Sequence, residues 1–256
     1  MNGEILVTGG TGTLGRLVVA RLRDAGRKVR VLSRSSGDGL VTGDLDTGEG
    51  IDAAVRGVET IVHCAGANKG DEVKARHLVE AASRAGSPHI VYISVIGADR
   101  VPVVSRADRA MFGYFASKRG AERVVEESGL PWTTLRAAQF HELMFKTARG
   151  MAKLPIVPVP SGARFQPVAA DDVAERLVEL ALGEPAGLVP DIAGPRIYPM
   201  ADLIRGYLRT FGKHRALVPL RLPGRAARAF RAGANLAPDH AVGRRTWEDY
   251  LAQQAR

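Results

Sequence analysis

Cysteine occurs once in these 256 residues, at Cys64, so no internal disulfide can form and a reducing, cytoplasmic location is the expectation. No apolar run is long enough to span a bilayer. The first residues read as a strand rather than as a charged segment followed by a signal-type apolar one. The six histidines (His63, His77, His89, His141, His214 and His240) show no pairing at ligand spacing, and with a single thiol no metal site is expected. Cys64 ends an apolar strand and reads as a small core residue rather than a nucleophile. No internal repeat or low-complexity linker interrupts the chain.

What the sequence does have begins at Ile5-Leu6-Val7-Thr8-Gly9-Gly10-Thr11-Gly12-Thr13-Leu14-Gly15, where an apolar strand passes through a glycine-rich turn into a helix. Gly9 permits the tight turn, Gly12 lets the backbone approach a pyrophosphate, and Gly15 allows close helix–strand packing. The phosphates of a dinucleotide would lie on the helix amino end, toward its free N–H groups and positive dipole end. The second strand, Val29-Arg30-Val31-Leu32, lacks the acidic residue that would accept bonds from a ribose 2′-OH. It ends instead in Ser33-Arg34-Ser35-Ser36. A carboxylate there would repel a 2′-phosphate, whereas the Arg34 guanidinium can pair with one, so NADP(H) is the expected cofactor. The plainer alternative is that Arg34 is one more solvated arginine.

Strand-like and helix-like segments alternate through Leu40-Val41, Thr60 to His63, a helix near 71–85, Ile90 to Ser94, a helix near 112–128 and Trp132 to Leu135. This pattern predicts a Rossmann-like α/β fold with a doubly wound parallel sheet. The whole of residues 1–256 reads as one NAD(P)-binding domain. The less regular region of about 139–256 contributes a small substrate cap; it includes a Pro-rich loop at Leu154 to Pro160 and helices near 171–177 and 200–211.

Tyr114-Phe115-Ala116-Ser117-Lys118 places a phenol and an ammonium four residues apart on one helical face. A neighbouring cation favours the phenolate, which would make Tyr114 a proton donor and acceptor beside a hydride carrier, and Lys118 could also hold the ribose. Chance placement on any helix is the competing reading.

With these two motifs together, the chain resembles the short-chain dehydrogenase/reductase superfamily, in its extended and atypical branch of NmrA-like and nucleotide-sugar-epimerase-like proteins. TGGTGTLG matches the TGxxGxxG turn and YFASK the YxxxK motif. Gly43-Asp44-Leu45, Cys64-Ala65-Gly66, Leu135-Arg136, Phe165 to Val168 and Asp172-Val173-Ala174 match further, over roughly residues 4–182. The resemblance implies Tyr114, Lys118 and Ser94 as catalytic residues. The cofactor contacts it implies run from Thr8, Gly9, Thr11, Gly12, Thr13, Leu14 and Gly15 through Ser33, Arg34, Asp44 and Leu45 to Cys64, Ala65, Gly66 and Lys118. One departure concerns the serine or threonine that the family places after the fifth strand. Here that position is Val95, and the adjacent Ser94 cannot replace it unless the strand ends or bulges. Gln139 and His141, just past the sixth strand, are alternative substrate contacts, His141 also reading as a helix-opening polar residue.

Residues 200–256 carry 11 basic and 4 acidic side chains, most of the net charge of +9. A solvated face is the first reading of this tract, steering of an anionic substrate the second and nucleic acid the third, because no DNA-binding motif or interleaved aromatics accompany it. Neither a specific nucleic acid nor a membrane is an expected partner; a small-molecule substrate is, and self-association is left open. The expected activity is NADPH-dependent hydride transfer to or from a small organic carbonyl, quinone or related group. The alternatives are a non-catalytic NADP(H) sensor or regulator and a nucleotide-sugar-type epimerase.

Overall fold

A computed structural model describes residues 3–67 and 69–255. In chain order the elements are β1 (Glu4–Thr8), α1 (Thr13–Asp24), β2 (Val29–Ser33), β3 (Leu40–Thr42), α2 (Ile51–Val55), β4 (Val58–His63), α3 (Asp71–Arg84), β5 (His89–Val95) and α4 (Arg106–Glu126). There follow β6 (Trp132–Ala137), α5 (His141–Met151), β7 (Ile156–Pro160), β8 (Arg164–Phe165), α6 (Ala170–Leu182), β9 (Gly187–Leu188), β10 (Tyr198–Pro199), α7 (Met200–Thr210), β11 (Ala216–Leu220), α8 (Arg225–Arg231) and α9 (Trp247–Gln254).

Two compact units divide the chain. Met1–Ser94, Gly113–Arg136 and Ala170–Pro190 form the first, and Val95–Phe112, Ala137–Ala169 and Asp191–Arg256 the second. The first unit contains a seven-strand sheet in the order β3-β2-β1-β4-β5-β6-β9, in which β1 pairs with β2 and β4, β2 with β3, β4 with β5 and β6 with β9, each in parallel. Connections run outward in opposite directions from β1 and β4, which makes the crevice beyond their carboxyl ends the topological switch point of a doubly wound sheet. Ile5, Leu6, Val7, Ile61, Val62, Ile90 and Val91 are fully buried, as continuous apolar strands covered on both faces must be. One face packs Ile61, Ile90 and Tyr92 against Ala75, Leu78 and Ala82 of α3 and Ala121 and Val125 of α4.

The second unit is built differently. Phe145 of α5 meets Tyr207 and Phe211 edge-on at 5.3 and 5.7 Å between ring centroids, and Trp247 stacks on Tyr250 at 5.8 Å. Trp247 is almost fully buried and its indole N–H donates to Leu203 O at 3.1 Å, so the aromatic cluster is polar-satisfied as well as packed.

Two sequence expectations change here. The Pro-rich segment is not a loop: Ile156–Pro160 is a strand, paired in parallel with Ala216–Leu220. Ser161 N–H donates to Leu220 O at 2.8 Å, which turns Pro158 and Pro160 toward the outer edge, where no N–H is needed. The long helix starts at Arg106 rather than near Phe112 because Ser105 and Asp108 cap it reciprocally: Asp108 N–H donates to Ser105 Oγ at 3.0 Å and Ser105 N–H to Asp108 Oδ2 at 3.1 Å.

Candidate active site

The turn after β1 is shaped by close backbone approaches. Gly9 has φ +66°, and a Cβ there would lie 2.7 Å from Ala65 N; a Cβ on Gly15 would lie 2.1 Å from Gly9 O. Helix α1 opens at Gly12 with no side-chain cap and no acidic residue in its first turn, whereas α3, α5, α6 and α7 each carry an acid there. Its first N–H groups are thus left for an anion, and none of its own side chains competes.

Beside this turn lies a cavity of about 490 Å³ in the first unit. Its walls bring together Gly9, Thr11, Gly12, Ser33, Arg34, Asp44, Leu45, Cys64, Ala65 and Gly66, all singled out by the sequence, and add Ser35, Asp46 and Lys74, which were not. Lys74 is held by Asp46 at 2.6 Å. Thr8, Thr13, Leu14 and Gly15 are not part of the wall. Thr8 instead ties two strand ends together, its Oγ1 lying 2.7 Å from His63 Nδ1 and accepting from Ala65 N–H at 3.2 Å. Burial holds His63 neutral, pushing its pKa down to about 3, with Lys118 and Lys74 adding to the shift. Burial also pushes the Cys64 thiol up to about 12, against the opposing field of Lys118, so it stays protonated and unreactive.

Lys118 stands next to the cavity wall: a Cβ on Gly66 would come within 2.9 Å of its Nζ. It is buried, ion-paired to the fully buried Asp71 at 3.1 Å, and donates to Ile93 O at 3.3 Å. Asp71 is fixed in turn, since Ala67 N–H donates to Oδ1 at 2.7 Å and its own N–H donates to Ser117 Oγ. The ammonium lies 5.1 Å from the Tyr92 ring centroid and 5.9 Å from that of Tyr114. Burial opposes the charge on Lys118, but Tyr92 and Asp71 outweigh it and hold the ammonium above its ordinary range.

The structure alters the expected behaviour of Tyr114. Burial of the phenol raises its pKa, and the Asp71 carboxylate raises it further, although the side chain as a whole keeps 36% of its surface exposed. The Lys118 charge is engaged by Asp71 and Tyr92, so Tyr114 is held as a neutral phenol, with a proton to give but as a weaker acid than a free phenol.

Ser94 and Val95 are both buried at the end of β5. The Ser94 hydroxyl makes no hydrogen bond of ordinary geometry among the described residues, yet lies near enough to Glu122 to favour its carboxylate. Burial pushes Glu122 up, and Arg136, Ser94 and Arg119 more than reverse this; Arg136 grips it with bonds of 2.8 Å from Nε and Nη2. Glu122 is eight residues along α4 from Tyr114, about 12 Å of helix axis, so Ser94 is associated with a different level of the helix.

Gln139 and His141 belong to the second unit. Gln139 Oε1 is buried with no partner among the described residues. His141 has no exposed surface and stacks against Tyr250 at 5.2 Å and Trp247 at 6.1 Å, as a member of the aromatic cluster. Asp71, Tyr92, Lys74 and Glu122 were missed by sequence reasoning; Asp71 sits at the start of a helix, where an acid is expected for capping alone.

The sequence profile of a family described as NAD(P)H-binding matches residues 9–183, which takes in the glycine turn, the cavity wall and the Tyr114–Lys118 pair. This chain belongs to that family. Among its relatives, a ceramide reductase of Caulobacter vibrioides is 29% identical over 247 residues, covering 87% of this chain and 75% of that protein. A (4-alkanoyl-5-oxo-2,5-dihydrofuran-3-yl)methyl phosphate reductase of Streptomyces griseus is 31% identical over 160 residues, 60% of this chain and 54% of that one. The fold is shared with an NADPH-dependent quinone oxidoreductase of Escherichia coli solved with NADPH, at a TM-score of 0.81 and 17% identity, covering 98% of this chain and all of that one. No helix among the described residues is long and apolar enough to cross a membrane.

Proposed function

We propose that this NAD(P)H-binding protein is an NADPH-dependent oxidoreductase that reduces a carbonyl or quinone-type group on a small organic molecule. The observation that carries this reading is the buried Asp71–Lys118 pair beside a Tyr114 phenol kept protonated. When bound, the nicotinamide supplies the hydride. The glycine turn and the uncapped start of α1 fit its pyrophosphate, Asp44 and Leu45 fit the adenosine end, and Arg34 at the end of β2 fits a 2′-phosphate. Lys118, its charge balanced by Asp71, is assigned to holding the ribose. Tyr114 gives its hydroxyl proton to the substrate oxygen as charge develops there. Ser94 acts on the helix through Glu122, and Gln139, whose Oε1 has no partner among the described residues, is assigned to substrate contact, whereas His141 is packed against Trp247 and Tyr250. Choice of substrate is assigned to the second unit. Two relatives named as reductases support the reaction class, and the single half-buried thiol is consistent with a cytoplasmic site of action.

The test is NADPH oxidation against a panel of ketones, quinones and enones. Tyr114→Phe should lower turnover by about two to four powers of ten while leaving NADPH affinity nearly unchanged. Wild-type turnover in that variant removes Tyr114 from the chemistry, and NADPH binding with no turnover of any substrate replaces the enzyme with a sensor. Cofactor choice is tested separately by calorimetric titration. NADPH should bind at least about tenfold more tightly than NADH, and Arg34→Asp should erase or reverse the preference; equal wild-type affinities overturn the assignment.

A further inference from the structure

The second unit presents a surface that hydride transfer does not use. β7 reads IVPVP and β11 reads ALVPL, without one polar side chain between them. In a ribbon with one solvated face the outer positions should be polar. Here the paired register puts Ile156, Val218 and Leu220 on the outer face, exposed by 57%, 48% and 49%, while Val157 and Val159 turn inward and are buried. Arginine-lined hollows lie at both ends of β11. One, of about 790 Å³, takes in Ala216 and Leu217 together with Arg205, Arg209 and Arg215. The other, of about 410 Å³, begins at Arg221 directly after the strand and includes Arg225 and Arg228. Across residues 200–231 eight lysines and arginines face one acid, Asp202, which is already paired with Arg205 at 2.8 Å.

We propose that the β7–β11 ribbon is a docking surface for an anionic lipid bilayer, its aliphatic side chains entering the headgroup layer while the two arginine hollows receive lipid phosphates. Five strand residues span about 16 Å, so the hollows would engage separate lipids. Such a surface combines apolar insertion with attraction to the negatively charged cytoplasmic leaflet. A second copy of the chain fits poorly: its arginines would meet like charge, and Pro158, Pro160 and Pro219 remove N–H donors from the ribbon's outer edges, which hinders strand addition. Nucleic acid would use the arginines but leave the exposed aliphatics without a role, since single strands are gripped by aromatic stacking and the ribbon has no aromatic residue. The inference stands apart from the proposed chemistry, and it revises the expectation of no membrane partner, which rested on the lack of an apolar run long enough to span a bilayer and did not consider binding at its surface.

Flotation of the full chain with phosphatidylcholine vesicles, with and without an added phosphatidylglycerol fraction, tests it. The protein should float with the anionic vesicles only, and added salt should weaken this. Removing Arg221 and Arg225 together as alanines should lower partitioning by about fivefold per arginine. Val218→Glu with Leu220→Glu, both at exposed positions, should lower it by about tenfold or more. Near-ultraviolet circular dichroism of each variant, which reads the aromatic cluster of the second unit, shows that this unit remains folded. Absence of flotation, equal flotation with neutral and anionic vesicles, or wild-type flotation of both variants overturns the proposal. So does a solution dimer that the glutamates dissociate, which assigns the ribbon to a second copy, or tight salt-resistant retention of DNA.

Discussion

The two units of this protein invert each other's use of side chains. The first buries ionisable groups: Asp71 with Lys118, Glu122 with Arg136, and a neutral His63 all lie inside it. The second takes ten of the fourteen aromatic residues and leaves its arginines at the surface. A buried ion pair rarely stabilises a fold more than a well-packed apolar replacement would, so two such pairs in one helix–sheet layer mark a region shaped for electrostatics. An aromatic cluster has the opposite character, contributing packing and no fixed charge. On the proposed function, the contrast separates the unit assigned to proton and cofactor from the unit assigned to partner choice.

The largest expected effect comes from breaking the first side of the contrast. Lys118→Met leaves the Asp71 carboxylate buried and unpaired, which should cost about 3–5 kcal/mol of stability and remove measurable turnover. Asp71→Asn in the same chain should return much of the stability, because the stranded charge is gone, without returning activity. Urea unfolding and steady-state kinetics on the single and double variants check both halves. Recovery of turnover in the double variant would mean that the ammonium has no part in the chemistry.

Trp247→Ala tests the second side. Truncating this enclosed indole should cost about 3–5 kcal/mol, and the loss should be local. Hydrogen exchange should rise in α5, α7 and α9 while β1 and β4 keep their protection, and NADPH affinity should change little. Equal loss of protection in both units would show that they share one stability and that the contrast is one of composition only.

How much of this was legible in the sequence follows from the range over which each signal acts. Gly9, Gly12 and Gly15, the Tyr114–Lys118 spacing and the alternating elements are local patterns; of the named residues the cavity wall takes in Gly9 and Gly12, with Lys118 next to it. Asp71 and Tyr92 could not be paired with Lys118 without knowing the sheet order, since 47 and 26 positions separate them from it. The same holds for Glu122 and Arg136, whose bond joins α4 to β6. The segment 154–160 was misjudged because proline is a loop signal until a partner strand is known, and that partner begins sixty residues after Ile156. The start of α4 was readable: Ser105 and Asp108 stand at capping-box spacing, but the run Val101-Pro102-Val103-Val104 before them hid it.

The smallest effect sharpens the comparison through pH. His63 is neutral in the folded first unit, with its pKa lowered from 6.5 to about 3, whereas in the unfolded chain it takes up a proton as pH falls below 6.5. The unfolded state therefore binds more protons throughout that window. Stability is complete above pH 6.5 and declines as pH falls toward 3, by at most about 1.4 kcal/mol per pH unit. Between pH 7 and pH 5 the loss should be about 2 kcal/mol, with His89 adding in the same sense because burial lowers its pKa too. The carboxylates that contribute, Glu122 first among them, do not enter until the pH approaches 4.5, so the two histidines can be read alone above pH 5. Urea midpoints at pH 7, 6 and 5 measure the slope. His63→Asn should lower stability at pH 7, where the contact with Thr8 is lost, and flatten the slope to the part that His89 leaves. An unchanged slope in that variant would mean that His63 titrates in the folded protein as it does in the unfolded chain, and that the first unit admits an additional cation near Lys118 as the pH falls.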